Sequence, residues 1–231
     1  MPAKNSIKEY VENGYYHLYN RGVEKRIIFQ DEQDYAVFLS YLKVYLLPKN
    51  EKELQDRFSD PNISYREKDK ILRLLRLNNF YGEIELLVYC LMPNHFHFLI
   101  KQNAGNGIDR FMNSLATRYT MYFNKKYKRV GSLYQDVYKA VMVESDEQLL
   151  HLSRYIHRNP VRPGSKGEAF RAQITRQPSS YPEYLGQRKT EWVKSQEILS
   201  FFSKTNPNLS YQAFVEQVEE LDIIEDVAID L

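Results

Sequence analysis

The sequence has one cysteine, Cys90, so no intrachain disulfide can form and a cluster of thiolate metal ligands is excluded. That suits a reducing cytosol. No apolar run approaches the roughly 20 residues that cross a bilayer, and Met1-Pro2-Ala3-Lys4-Asn5-Ser6 lacks the apolar core of a signal peptide. The expectation is a soluble, cytoplasmic chain with no membrane partner. Internal repeats and low-complexity tracts are missing too, which removes solenoids and propellers.

Positive charge is missing from one stretch and crowded into another. Gln212 to Leu231 has seven acids and no Lys or Arg, whereas Lys101 to Arg162 carries eleven Lys/Arg against five Asp/Glu, a net of +6. A basic middle suits a polyanionic partner. The 19 tyrosines and 12 phenylalanines offer stacking surfaces for bases. Most basic faces are simply solvated and most aromatics are core, so composition alone leaves nucleic acid as one reading among several. At 231 residues there is room for one substantial core and a small appendage.

The chain is organised around Leu86 to Ile100, two apolar runs flanking Met92-Pro93-Asn94. Proline presets φ and asparagine tolerates the turn that follows, so the stretch reads as strand, tight turn, strand. His95 and His97 stand two apart, and the pleat of a strand points both imidazoles to one face while Phe96 and Phe98 point to the other. Two imidazoles on one face suit a divalent metal or a phosphate. Alone, they also suit the wet face of a half-buried strand.

Around this hairpin, Gly14 to Asn20 reads as a first strand running into the loop Asn20-Arg21-Gly22. Asp31 can cap a helix bearing Tyr35, Val37, Phe38, Leu42 and Tyr45, which Pro48 stops. Residues 49–80 form an insertion, partly helical and without visible chemistry. Ile108, Phe111, Met112, Leu115, Tyr119 and Tyr122 recur at three and four residue steps and predict an amphipathic helix, its polar side and end carrying Arg110, Arg118, Lys125, Lys126, Lys128 and Arg129 before Gly131. Leu133 to Val143 reads as a further strand. Ser145 or Asp146 then caps a helix with Leu149, Leu150, Leu152 and Ile156 on its buried side, ended by Pro160. Beyond it, two short helical patterns fall around Trp192 to Phe202 and Tyr211 to Leu221.

The helix that begins near Asp146 ends Arg154-Tyr155-Ile156-His157-Arg158-Asn159-Pro160-Val161-Arg162. Tyr155 and Asn159 are four apart, hence on one helix face one turn apart. A phenol and a side-chain carbonyl therefore point the same way. Tyr119, Tyr122 and Tyr127 have no Asn, Gln, His or acid one turn later, and Tyr119 and Tyr122 read as core. His17 reads as a packing residue, and His151 and His157 as surface residues of the helix.

Met92-Pro93-Asn94-His95-Phe96-His97 resembles the signature of the HUH single-tyrosine transposases. Tyr155 to Arg162 is similar to their nucleophile helix in the form found in the REP-associated tyrosine transposases, and Tyr16 to Gly22 to their first strand and loop. The resemblance spans roughly 10–165. It implies a catalytic domain at 10–165 followed by a mostly helical extension at 166–231. The implied fold class is α+β, a ferredoxin-like antiparallel sheet with helices packed on one face, the histidines on a central strand and the Tyr155 helix across the open face.

The implied activity is cleavage and rejoining of single-stranded, hairpin-associated DNA through a 5′-phosphotyrosine. Tyr155 would be the nucleophile, and His95, His97 and Asn159 would hold Mg²⁺ or Mn²⁺. DNA would be contacted by Asn20, Arg21, Arg118, Lys125, Lys126, Arg129, Arg154, Arg158 and Arg162. In relatives the nucleophile helix serves its own subunit or is exchanged within a homodimer. Three alternatives stand beside this reading: a non-catalytic or domesticated nucleic-acid-binding protein of the same fold, a replication-initiation nuclease of the same chemistry, and a metal-dependent hydrolase using water.

Overall fold

Strand β1 (Gly14–Arg21) runs into a tight loop, followed by helices α1 (Glu32–Leu46), α2 (Glu51–Ser59) and α3 (Tyr65–Arg76) in a computed structural model that describes residues 10–217. Then come β2 (Ile84–Met92), β3 (His95–Gln102), α4 (Gly107–Lys126), β4 (Lys139–Val143) and α5 (Asp146–Arg158). Helix α6 (Gly167–Ile174) and the short helices α7 (Tyr181–Tyr184), α8 (Gln196–Leu199) and α9 (Tyr211–Glu216) complete the described chain. The part of the last expected helix beyond residue 217 lies outside it. No helix among these residues is long and apolar enough to cross a membrane.

The four strands form one antiparallel sheet in the order β2-β3-β1-β4, which puts the His95–His97 strand at a central position. Pro93 and Asn94 make the predicted turn, and the loop after β1 clamps it. Pro93 O accepts from the backbone N–H of Ile28 (2.8 Å) and Phe29 (3.0 Å), and Asn94 O from Gly22 N (2.9 Å). Only glycine fits at position 22, because a Cβ there would stand 2.3 Å from Arg26 O.

Each face of the sheet has its own core. Tyr16 and Leu18 of β1 and Phe96, Phe98 and Ile100 of β3 pack against Phe38, Leu42 and Tyr45 of α1 and against Phe111, Leu115, Tyr119 and Phe123 of α4. Asp31 caps α1 as expected, its carboxylate accepting from Asp34 N at 3.0 Å. The insertion is helical, as α2 and α3, the latter opened by a Ser64–Glu67 capping box. On the opposite face, Val88, Cys90, Leu99 and Val143 pack against Leu149, Leu152 and Ile156 of α5. Phe170, Ile174, Tyr181, Tyr184, Ile198, Tyr211 and Val215 belong to this same cluster, so the extension is built onto α5.

The extension also closes the β2 edge, where unpaired backbone groups would otherwise face solvent. Leu91 N donates to Pro178 O (2.9 Å), Ser180 N to Tyr89 O (3.0 Å) and Lys194 N to Leu86 O (2.8 Å). Trp192 stacks on Tyr89 with ring centroids 5.6 Å apart.

Two expectations are corrected. Residues 133–138 are not strand. Leu133, Tyr134 and Tyr138 are all buried in the core on the α4 side, a pattern without the alternation a ladder needs; Tyr134 makes one isolated bridge to Gly22, and the continuous ladder begins at Lys139. His157 is not at the surface but completely buried, with Tyr211 Oη 2.7 Å from its Nδ1 and Ser180 Oγ 2.8 Å from its Nε2. Ile156 beside it faces the sheet; His157 faces the extension.

Burial pushes the His157 imidazole down to about 3. The unfolded chain takes up a proton near pH 6.5 and the folded chain does not, so stability must fall as pH falls through this window. From pH 7 to 5 this one group removes about 2 kcal/mol. Urea denaturation should therefore show the stability gap between wild type and His157→Phe shrinking by about that amount over the same range; a constant gap would contradict the burial of a neutral imidazole.

Candidate active site

Alternation along β3 decides what meets α5. Phe96 and Phe98 point into the α1–α4 core, so His95 and His97 point to the α5 face. In register beside them on β1 are Arg21, opposite His95, and Tyr19, opposite His97; Lys139 of β4 lies opposite Tyr19. Helix α5 is capped by Ser145 Oγ, which accepts from Gln148 N at 3.2 Å, and lies against the sheet through Leu149, Leu152 and Ile156. Tyr155 and Asn159 follow Leu152 at steps of three and four, and so come down beside this buried stripe onto the histidines.

The imidazoles converge on the Asn159 amide. His95 Nε2 is 3.1 Å from Asn159 Oδ1, and Asn159 Nδ2 is 3.5 Å from His97 Nε2. The outer nitrogens are held from behind: His95 Nδ1 is 2.6 Å from Asn94 Oδ1, and His97 Nδ1 is 2.9 Å from His17 Nε2. The Tyr155 ring stands edge-on to His97 at 5.7 Å and to His17 at 6.3 Å. Tyr155 is half-buried, and His97 and His17 are buried. All belong to one chain.

This donor set suits a divalent cation. An amide oxygen only accepts, so Asn94 Oδ1 requires the proton of His95 on Nδ1, which leaves the Nε2 lone pair facing Asn159 Oδ1. Two acceptors at 3.1 Å are satisfied by a cation between them, whether a proton on His95 or a metal ion. Two imidazole nitrogens and one amide oxygen leave positions open for phosphate oxygens. Among the described residues no three His, Cys, Asp or Glu side chains group to hold a metal, so such a site depends on Asn159.

The other expected residues are divided by the sheet. Arg21 lies on the site face with the histidines, whereas Asn20 points to the α4 face, its Nδ2 donating to Asp136 O at 3.1 Å. Arg118, Lys125, Lys126 and Arg129 are on α4, across the sheet from Tyr155. Arg118 lies 3.7 Å over the Tyr41 ring, Lys126 pairs with Asp31 and Asp34, and Arg129 donates to Asn124 Oδ1; Lys125 is exposed. Arg154 is buried over Phe214 and donates to Gln217 O. Arg158 donates to Val215 O (2.6 Å) and Gln217 O (2.8 Å), so both arginines of α5 hold the extension. Arg162 is exposed just past the helix.

Tyr119, Tyr122 and Tyr127 are also across the sheet. Tyr119 donates to Ile28 O, and Tyr122 and Tyr127 to the Asp34 carboxylate. Burial raises all three phenols, Tyr127 to about 12, which disfavours them as nucleophiles. Sequence reasoning missed Lys139, whose ammonium is 5.6 Å from the Tyr19 ring centroid on the rim of the site. Its alternation with Ala140 and Met142 carried the signal. His17 packs, as expected, but against His97 itself.

The family model described as "Transposase IS200 like" matches residues 59–159, a stretch that contains both histidines, Tyr155 and Asn159. The resemblance to these transposases read from the motifs is thereby shown. Among solved structures, one described as a REP-associated tyrosine transposase bound to a REP hairpin overlaps with a TM-score of 0.50 at 12% identity, covering 94% of this chain and 99% of that one. It shares the fold. A candidate transposase from Deinococcus radiodurans R1 overlaps with a TM-score of 0.28 at 16% identity, covering 66% of this chain and 95% of that one. No curated protein matches the chain in sequence.

The carbonyl contacts of Arg158 give it a structural signature. Arg158→Ala should lower stability by about 1–2 kcal/mol, a charged hydrogen bond discounted for partial exposure, in urea denaturation. The salt dependence of binding to a single-stranded oligonucleotide should stay that of wild type; a shallower slope would place Arg158 on phosphate instead.

Proposed function

We propose that this protein is a cytoplasmic enzyme that cuts and rejoins single-stranded DNA at hairpins through a covalent 5′-phosphotyrosine at Tyr155. One observation carries this reading: Tyr155 stands beside two imidazoles whose Nε2 atoms converge on the Asn159 amide, within a single chain. A solved protein of the same fold is described as bound to a REP hairpin, which supports a hairpin-forming substrate.

In the proposed reaction Tyr155 Oη bonds to phosphorus as the bond from phosphorus to the 3′ oxygen breaks. The phenol loses its proton and the departing 3′ oxygen gains one. The number of phosphodiester bonds is unchanged, so attack by a 3′-hydroxyl can run the step backwards and join a strand. Tyrosine suits this exchange because a phenol, with a pKa of about 10, is a better leaving group than an alkyl hydroxyl.

His95, His97 and Asn159 would hold Mg²⁺ or Mn²⁺, which when bound supplies a Lewis acid for the phosphate oxygens. Arg21 and Lys139 border the same face and would steady the backbone phosphates on either side. Helix α5 carries Tyr155 over the histidines of its own chain, which supports catalysis within one subunit, in a monomer or in a homodimer.

Wild type and Tyr155→Phe incubated with 5′- and 3′-labelled hairpin-bearing single strands and Mn²⁺ test the reading on denaturing gels. Wild type should give an adduct on the 5′ end of the downstream fragment, and Tyr155→Phe none. Cleavage that persists in Tyr155→Phe would favour water as nucleophile, and tight binding without cleavage a non-catalytic binder. A mixture of Tyr155→Phe and His97→Ala should remain inactive, because neither chain holds a complete site. Restored cleavage would mean that α5 is exchanged between subunits.

A further inference from the structure

His17 is fully buried in the middle of β1, with Leu18 and Tyr16 beside it in the chain and Leu99 opposite in the ladder. An apolar ring would fill this place without a polar atom to satisfy, and burying an imidazole costs free energy unless it is hydrogen-bonded. Its Nε2 is 2.9 Å from His97 Nδ1, with the two rings nearly parallel at 21° and centroids 5.1 Å apart. His17 therefore lies behind His97, on the side away from Asn159.

The roles of the two nitrogens follow from the contacts. At 3.5 Å the Asn159 amide offers an N–H toward His97 Nε2, which must then present its lone pair. A neutral His97 then carries its proton on Nδ1, and that N–H donates to His17 Nε2. His17 directs its Nε2 at His97 Nδ1, so it stands behind the ligand set and not in it. Asn94 does for His95 what His17 does for His97. One imidazole is locked from the turn and the other from the neighbouring strand.

We infer that His17 is a positioning residue: it accepts the Nδ1–H of His97, fixes that ring in one tautomer and orientation, and aims the Nε2 lone pair at the cation position. This deepens the proposed function and rests on its assignment of His95, His97 and Asn159 to a divalent ion. Groups that orient metal-binding histidines in this way typically contribute about 10–100-fold in metal affinity.

Two measurements test it, neither of which reads turnover. The first is Mn²⁺ titration followed by electron paramagnetic resonance on wild type, His97→Ala, His17→Phe and His17→Gln. Wild type should bind one ion and His97→Ala should not. His17→Phe should bind about 10–100-fold more weakly, and His17→Gln, which restores an acceptor, should recover most of the loss. The second is nitrogen-15 spectroscopy of the imidazoles in the metal-free protein. His97 should be the Nδ1–H tautomer in wild type and shift toward Nε2–H in His17→Phe. Equal Mn²⁺ affinity in wild type and His17→Phe would overturn the inference and leave the metal assignment standing. Failure of wild type to bind Mn²⁺ would overturn that assignment and the inference together. The wild-type spectrum needs no variant to fold, and an Nε2–H tautomer at His97 would by itself overturn the inference.

Discussion

Everything at the candidate site depends on the register of β3 between β1 and β2. Side chains of a strand alternate faces, so a slip of one residue would turn His95 and His97 into the α1–α4 core and bring Phe96 and Phe98 out under α5. Several contacts hold the register at one end. The Pro93–Asn94 turn accepts three backbone hydrogen bonds from the loop after β1, and Gly22 allows that loop to pass close enough to reach it. At the other end, Gln102 Oε1 accepts from Ile108 N at 3.0 Å and ties the strand to the start of α4. The phenylalanines supply the driving force, each fully buried aromatic contributing about 1.5–3 kcal/mol.

Tyr155 and Asn159 need a second constraint, since a helix lying on a sheet can rotate about its axis. On α5 the buried residues are not confined to the sheet side: Leu149, Leu152 and Ile156 meet the strands, while Ser153, Arg154 and His157 meet the extension. Held on two sides, the helix has one rotation that satisfies both. The contacts to the extension are polar and directional. His157 touches Tyr211 and Ser180, Arg158 reaches the carbonyls of Val215 and Gln217, and Ser180 also pairs with the β2 edge. The extension therefore fixes the height and rotation of α5 over the histidines.

Local patterns were readable from the sequence because they obey local rules. The turn chemistry of Pro93-Asn94, the period of two in His95-Phe96-His97, the Asp31 cap and the four-residue spacing of Tyr155 and Asn159 all reappear in the structure. What escaped depends on partners distant in the chain. His157 looks like a surface residue when only its helix is considered, and it is buried by Tyr184 and Tyr211 from the extension. Residues 133–138 have strand-like composition, but Leu133, Tyr134 and Tyr138 all go into one core. The basic character of α4 was plain, yet charge along a sequence carries no information about which side of a sheet a helix covers. Only the burial of Phe111, Leu115, Tyr119 and Phe123 against Phe96 and Phe98 decides that.

The division of charge by the sheet bears on how such a site selects one tyrosine out of 19. Tyr119, Tyr122 and Tyr127 are closer in sequence to the basic residues of α4, and all three donate to carbonyl or carboxylate oxygens that hold their protons in place. A hydrogen bond to an anionic acceptor stabilises the neutral phenol and opposes ionisation. Lys126 does not reverse this, because its charge is already matched by Asp31 and Asp34. On the other face Tyr155 stands edge-on to the imidazoles of His97 and His17, and Arg21 and Lys139 lie on the same face of the sheet. Tyr155 is thus set apart from the phenols of the α4 face, which are held by the Asp34 carboxylate or a backbone carbonyl. Which side of β3 a tyrosine lies on thus decides whether it meets the Asp34 carboxylate or the two histidines, and the alternation of a single strand sets that division.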